Sequence, residues 1–170
     1  MLRRFHDVTE PSVDLGVVER RLDAYRTWVE RAPAGLLDPA DLAFAERSVQ
    51  ILRSLPPVPV VPTHGDWQPR NWVVAGGVVG VIDFELAELA WWTRDLERMW
   101  WAEWLDHPDL RDSFLEGYGR VLTDLDTTLL IASSVLGAVT TMVWGERYGD
   151  LRFSEHGRQT LHRIRALTQT

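Results

Sequence analysis

The 170 residues contain no cysteine. A disulfide scaffold, a thiolate zinc site and a cysteine nucleophile are therefore excluded. Lysine is missing as well, because all 18 Lys/Arg positions are arginine. Schiff-base chemistry and a lysine clamp on phosphate lie outside the reach of these residues. Net positive charge is also lacking. The formal charge is -7, which argues against a broad nucleic-acid footprint. Met1 to Glu10 carries two arginines with no apolar run behind them, so it does not read as a signal peptide. The one long uncharged stretch, Thr127 to Gly145, is interrupted by threonine, serine and glycine. It reads as a buried core helix rather than a membrane span. These absences point to a cytoplasmic protein with neither a membrane nor a nucleic acid as partner.

What is present suits a single domain over 1–170. The 45% hydrophobic and 25% charged fractions are those of an ordinary globular chain. Val18, Leu22, Tyr25 and Val29 repeat at helical spacing inside a predicted helix over 13–32. Asp38-Pro39 reads as an N-cap followed by proline at the first helical position, opening a second helix over 38–55. Pro56-Pro57 stops that helix, and Val58 to Pro62 is forced to be extended. The period then changes. Trp72 to Ala75 and Val78 to Val81 flank Gly76-Gly77, which predicts a β-hairpin with a two-residue turn in the segment 72–83. The remainder, 93–167, reads as helical, with segments Thr93–Leu105, Pro108–Tyr118, Asp124–Arg147 and Glu155–Leu167. Asp106, Thr123 and Ser154 are the expected caps of the last three. Trp91, Trp92, Trp100 and Trp104 read as packing residues. The fold class is mainly α with one β-hairpin.

The chemistry-bearing residues cluster on either side of the hairpin. His64-Gly65-Asp66-Trp67-Gln68-Pro69-Arg70-Asn71, in a loop over 63–71, precedes it, and Ile82-Asp83-Phe84-Glu85 follows it. A turn at Gly76-Gly77 pairs Trp72 with Val81, so Asn71 faces Ile82 and neighbours Asp83 at the open end of the ladder. An amide oxygen and a carboxylate meeting there suit one hard cation. Few oxygen ligands and a share of substrate phosphate suit Mg²⁺ in particular. Strict alternation would send the two side chains to opposite faces, so the chain must leave the ladder near Asp83. Glu85 is a further candidate oxygen. Asp66, in a loop beside such a site, is placed to accept a proton from an attacking hydroxyl. Arg70 is a candidate phosphate contact, and a solvated arginine is the competing reading.

His64-Gly65-Asp66 followed after four residues by Asn71 resembles the catalytic loop of aminoglycoside phosphotransferases, small-molecule relatives of protein kinases. Ile82-Asp83-Phe84-Glu85 resembles the metal-binding segment that follows that loop. Arg94-Asp95-Leu96 resembles the aspartate that braces it, and Leu2-Arg3-Arg4-Phe5-His6 the first helix of the family's C-terminal lobe. The resemblance implies a kinase-like C-terminal lobe. It implies Asp66 as catalytic base, and Asn71 and Asp83 as holders of Mg²⁺ against the phosphates of ATP or GTP. His64 and Asp95 become supports of the catalytic loop. The implied reaction moves a γ-phosphate to a hydroxyl of a small molecule.

The family's N-terminal lobe, with its strand-borne lysine, has no counterpart in these residues, so the chain reads as a truncated C-lobe. Three functions follow as expectations. One is an ATP-dependent phosphotransferase completed by the missing lobe. Another is a catalytically inactive kinase-like module that binds a ligand or partner. The third is an unrelated Mg²⁺-dependent hydrolase using Asp66, Asp83 and Glu85. A lobe without its counterpart should also leave apolar surface open around the hairpin and the first helix, at Leu2, Phe5 and Trp72. Self-association or docking to a separate chain would then proceed through that surface.

Overall fold

The computed structural model describes residues 1–168, which form two compact units. Of the described residues, one unit comprises 1–14 and 57–127, and the other 15–56 and 128–168.

The first unit holds the sheets. Helix α1 (Leu2–His6) leads into a short strand, β1 (Ser12–Val13). β1 pairs antiparallel with β2 (Pro59–Thr63), where the chain leaves the prolines in extended form. β3 (Trp72–Ala75) and β4 (Val78–Val81) form a separate hairpin. Its register is Trp72↔Val81 through Ala75↔Val78, as the turn chemistry predicts. Gly76 and Gly77 take φ of 56° and 77°, the pair of positive values that a tight hairpin turn requires. β5 (Glu88–Ala90) returns to β2 with Val61 opposite Ala90, so the three-stranded sheet runs β1-β2-β5.

The sequence gives no sign of β1 or β5. Each is two or three residues long, too short for periodicity to register. A 3-10 turn (Trp92–Leu96) then feeds α4 (Glu97–Trp101) and α5 (Glu103–Asp106). The single helix expected over Thr93–Leu105 is broken at Ala102, whose φ and ψ are -98° and -96°. In an unbroken helix Met99 would sit on the far side from Trp101 and Trp104, and the break lets all three be buried. α6 (Pro108–Tyr118) follows His107 rather than an Asp106 cap. Its first turn has no side-chain cap, and Pro108 has no N–H to be satisfied.

The second unit is helical. α2 (Val17–Val29) and α3 (Pro39–Ser54) lie within the expected spans, and α2 is shorter because Ser12 and Val13 pair with β2. The Asp38 side chain accepts the Asp41 N–H at 2.7 Å, closing the predicted cap. α7 (Asp124–Tyr148) starts on a reciprocal cap between Thr123 and Asp126. Among the described residues α7 alone is long and apolar enough to cross a membrane, but 72% of its apolar window is buried, as expected of a core helix. α8 (Leu151–Thr168) begins four residues before the expected Glu155. Asp150, not Ser154, caps it by accepting from the Phe153 N–H at 3.0 Å. Ser154 is buried where α8 crosses α7, and Gly145 and Gly157 have no room for a Cβ at that crossing.

Leu2 departs from expectation. It is buried inside the first unit rather than open, because α1 packs on β2. Phe5 and Trp72 are half-buried. The open apolar surface lies instead on the hairpin and the turn after it, at Val73, Val74, Val78, Val79, Ile82 and Phe84.

Candidate active site

The loop from His64 to Asn71 is fixed from its backbone. Asp95, 1% exposed, accepts the His64 N–H on one carboxylate oxygen and the Gly65 N–H on the other, each at 2.7 Å. One buried carboxylate thus satisfies two backbone donors that would otherwise be orphaned. Asp95 is held in turn by the His6 ring. His6 Nε2 lies 2.9 Å from Asp95 Oδ2, and His6 Nδ1 lies 2.6 Å from the Tyr118 hydroxyl. Burial pushes the Tyr118 phenol up, so it keeps its proton and donates to Nδ1. The proton of His6 is then on Nε2 and faces Asp95. This Tyr118–His6–Asp95 chain joins α6, α1 and the His64–Asn71 loop. Nothing in sequence spacing signals it, since Tyr118 is 112 residues from His6.

Gly65 has φ of +78°, and a Cβ there would run into the Leu86 carbonyl. Both its conformation and the approach of the next loop demand glycine. The His64 ring accepts the Asp66 N–H on Nδ1 at 3.3 Å. Its Nε2 donates to the Ile82 carbonyl at 3.0 Å, and the ring packs on Phe84 at 4.6 Å between centroids. His64 therefore ties its own loop to the segment bearing Asp83.

Asp66 is 4% exposed, and both of its carboxylate oxygens are engaged. Oδ1 accepts from Gln68 Nε2 and faces Arg98 Nε at 3.2 Å. Oδ2 accepts from Arg70 at 2.8 Å and from Asn71 Nδ2 at 2.9 Å. Burial pushes this carboxyl up. The Arg70 bond, the Arg98 charge and the Asn71 bond together outweigh burial and hold it below the usual carboxylate range. Arg98 and Gln68 were not singled out from sequence. The signal available for Arg98 was its position one helical turn beyond Asp95.

Asn71 is buried at the end of a 3-10 turn (Pro69–Asn71). Its carbonyl accepts the Ile82 N–H at 3.0 Å, which carries the hairpin pairing one step past Trp72↔Val81. Its Nδ2 also donates to the Asp66 carbonyl at 2.9 Å, which fixes the amide and leaves Oδ1 for an outside partner. Asp83 is exposed, with φ of 68°, alone among the described non-glycine residues in taking a positive value. Strict alternation is broken at that residue, as a shared ion with Asn71 requires. Glu85 is exposed beside it. Among the described residues no group of three His, Cys, Asp or Glu side chains could hold a metal by itself. The donor set is one amide oxygen and one or two carboxylates. It fits an ion that draws its remaining ligands from water and phosphate.

Three solved structures share the fold. A thermostable mutant of aminoglycoside phosphotransferase APH(4)-Ia in its apo form matches 91% of this chain at 13% identity, with a TM-score of 0.61. Spectinomycin phosphotransferase APH(9)-Ia in complex with ADP and spectinomycin matches 99% at 18% identity and TM-score 0.63. The AMP-bound complex of that enzyme matches 94% at 17% identity and TM-score 0.62. The chain spans 53%, 63% and 62% of the lengths of those structures. No curated protein matches it. The model of the phosphotransferase enzyme family (APH) matches residues 1–129, the segment that contains the braced loop, the hairpin and Asp83. This chain belongs to the phosphotransferase enzyme family.

Proposed function

We propose that this chain carries the catalytic-loop portion of an ATP-dependent phosphotransferase whose acceptor is a small molecule with a free hydroxyl. The reading rests chiefly on Asp66, a buried carboxylate tied to Asn71 and set by the Asp95 brace at the mouth of the hairpin. In the proposed reaction Asp66 accepts the proton of the acceptor hydroxyl. The hydroxyl oxygen bonds to the γ-phosphorus as the bond to the β-phosphate bridging oxygen breaks. Asn71 Oδ1 and Asp83, with Glu85 as a further donor, would hold Mg²⁺, which when bound neutralises charge on the phosphates. Asp95 and His64 position the loop and touch no reactant. GTP would fit the same phosphate chemistry. Binding of ADP, AMP and spectinomycin by relatives of the same fold supports nucleotide and small-molecule ligands. The cytoplasm is the compartment that supplies such a nucleotide.

A second reading, a kinase-like module that binds without turnover, draws on two observations. The chain spans little more than half to five-eighths of its structural relatives, and both carboxylate oxygens of Asp66 are engaged within the chain. The exposed valines of the hairpin supply a surface through which such a module would self-associate or dock on another chain. Incubation with Mg-ATP and a panel of hydroxyl compounds, read by ³¹P NMR, separates the two. A new phosphomonoester signal that disappears in Asp66→Asn supports the transferase. Saturable nucleotide binding with no phosphomonoester from any acceptor supports the module.

A further inference from the structure

A carboxylate has about four lone-pair positions for hydrogen bonds. At Asp66 four groups crowd them: Gln68 donates to Oδ1 with the Arg98 guanidinium paired to the same oxygen at 3.2 Å, and Arg70 and Asn71 both donate to Oδ2. Both positions on Oδ2 are filled and Oδ1 is crowded by a donor and a cation, so one of the four must leave before the base can accept from an incoming hydroxyl. The four are not equally free to do so. Asn71 is buried and anchored a second time on the Asp66 carbonyl. Gln68 is half-buried in the same loop. The Arg98 side chain is only 26% exposed. The Arg70 side chain is 63% exposed and has no other hydrogen-bond partner than Asp66 among the described residues.

We propose that Arg70 is a latch on Asp66, opened by a phosphate-bearing ligand. The inference rests on the reading of Asp66 as the base. The guanidinium of this pair is open to solvent while the carboxylate is buried, so water competes for Arg70 and the bond is easier to exchange than one buried on both sides. Phosphate oxygens offer the same planar guanidinium a more highly charged, bidentate alternative. Transfer of Arg70 from carboxylate to phosphate empties one lone pair of Oδ2 on the solvent side. Arg98, Gln68 and Asn71 keep the carboxylate oriented meanwhile. Asp66 would thus become available only when phosphate is in place, so that no hydroxyl is deprotonated without a phosphoryl group to attack. Nucleotide phosphates and a phosphorylated acceptor share the chemistry that opens the latch. Arg70 is a positioning residue in this scheme and does not react.

The test uses the full chain, labelled with ¹⁵N and ¹³C, and reads the Arg70 Nε–H and the Asp66 carboxyl carbon by NMR. The probes are tripolyphosphate, standing for the nucleotide, and glycerol 3-phosphate, standing for a phosphorylated acceptor, each at constant ionic strength. The expected result is that both signals move together with one half-saturation point. The probe that moves them at the lower concentration identifies the source. In Arg70→Gln the Asp66 carbon should already sit at its shifted position, and tripolyphosphate affinity should fall about tenfold. Backbone amide spectra check that the variant is folded. The latch is overturned if either probe binds while Arg70 stays unmoved, if neither binds, or if Arg70→Gln leaves the Asp66 signal at its wild-type position. Failure of phosphotransfer in the acceptor panel with an intact coupled shift would instead overturn the transferase reading alone.

Discussion

Two aspartates flank the hairpin, and their surroundings are opposite. Asp66 is 4% exposed, carries three hydrogen-bond donors and an ion pair with Arg98, and sits on a loop pinned by a second buried aspartate. Asp83 is exposed, makes no hydrogen bond or ion pair within the described residues and holds a left-handed backbone. The folded chain thus satisfies the first completely and leaves the second for something outside it. A carboxylate meant to take a proton must be oriented before substrate arrives, which needs a rigid surround. A carboxylate meant to bind a hydrated ion must stay open to water and phosphate. The difference between the two loops is what a division of labour between base and ligand requires.

The sharpest way to break this comparison is to remove the charge of the proposed base while keeping its shape. Asp66→Asn preserves the size of the side chain and should lower kcat by about 10²–10⁴-fold wherever phosphotransfer is measured. Nucleotide affinity should change little. An unaltered kcat would show that the oriented aspartate is structural and that the contrast with Asp83 has another cause.

The brace behind Asp66 comes next. Asp95→Ala strips partners from two backbone N–H groups and from His6 in a buried place. The expected loss is about 3 kcal/mol or more of stability, measured by urea unfolding. Asp83→Asn, which keeps a residue suited to the left-handed backbone there, should in parallel cost almost nothing. Equal losses would mean that both loops are built for stability.

How much of this was legible in the sequence follows from the range of each interaction. The hairpin register and the Asn71–Ile82 pairing were readable because glycine pairs and alternation act over a few residues. The caps at Asp38 and Thr123 were readable for the same reason. Ser154 was misjudged because its role is set by the close crossing of α7 and α8, which local chemistry does not reveal. His6 and Tyr118 meet across 112 positions. Arg98 reaches Asp66 only after the 3-10 turn and α4 fold back beside the loop. Local rules placed the aspartates, and the contacts that make one of them a candidate base came from tertiary structure.

A smaller effect separates the far end of the brace. Burial raises the Tyr118 phenol above its ordinary value of 10.0. Its contribution to stability is therefore complete below pH 10 and is lost as pH rises, because the unfolded chain releases that proton first. Between pH 10 and 11 the stability advantage of wild type over Tyr118→Phe should shrink, by at most about 1.4 kcal/mol per pH unit for one group. Paired urea titrations at pH 8, 10 and 11 would measure it. A constant difference across that range would mean that the phenol is not held protonated at the end of the His6–Asp95 chain.

The smallest expected effect bears most directly on Asp83. An aspartate at φ of 68° sits where Cβ crowds the backbone, and asparagine and aspartate tolerate that region better than most residues without being free of cost. Asp83→Gly removes the crowding but loosens the unfolded chain, which offsets part of the gain. No hydrogen bond within the described residues is lost with the carboxylate. The net expectation is a stabilisation of about 0.5 kcal/mol, or a small rise in Tm, with Mg²⁺-dependent nucleotide binding weakened in the same variant. Stability and binding should therefore move in opposite directions, as they do where a strained residue is kept for its ligand. Calorimetry of the wild type and Asp83→Gly, with and without Mg-ATP, reads both at once. A clear drop in Tm without ligand would show that Asp83 holds the loop together from inside, and the two aspartates would then differ only in degree.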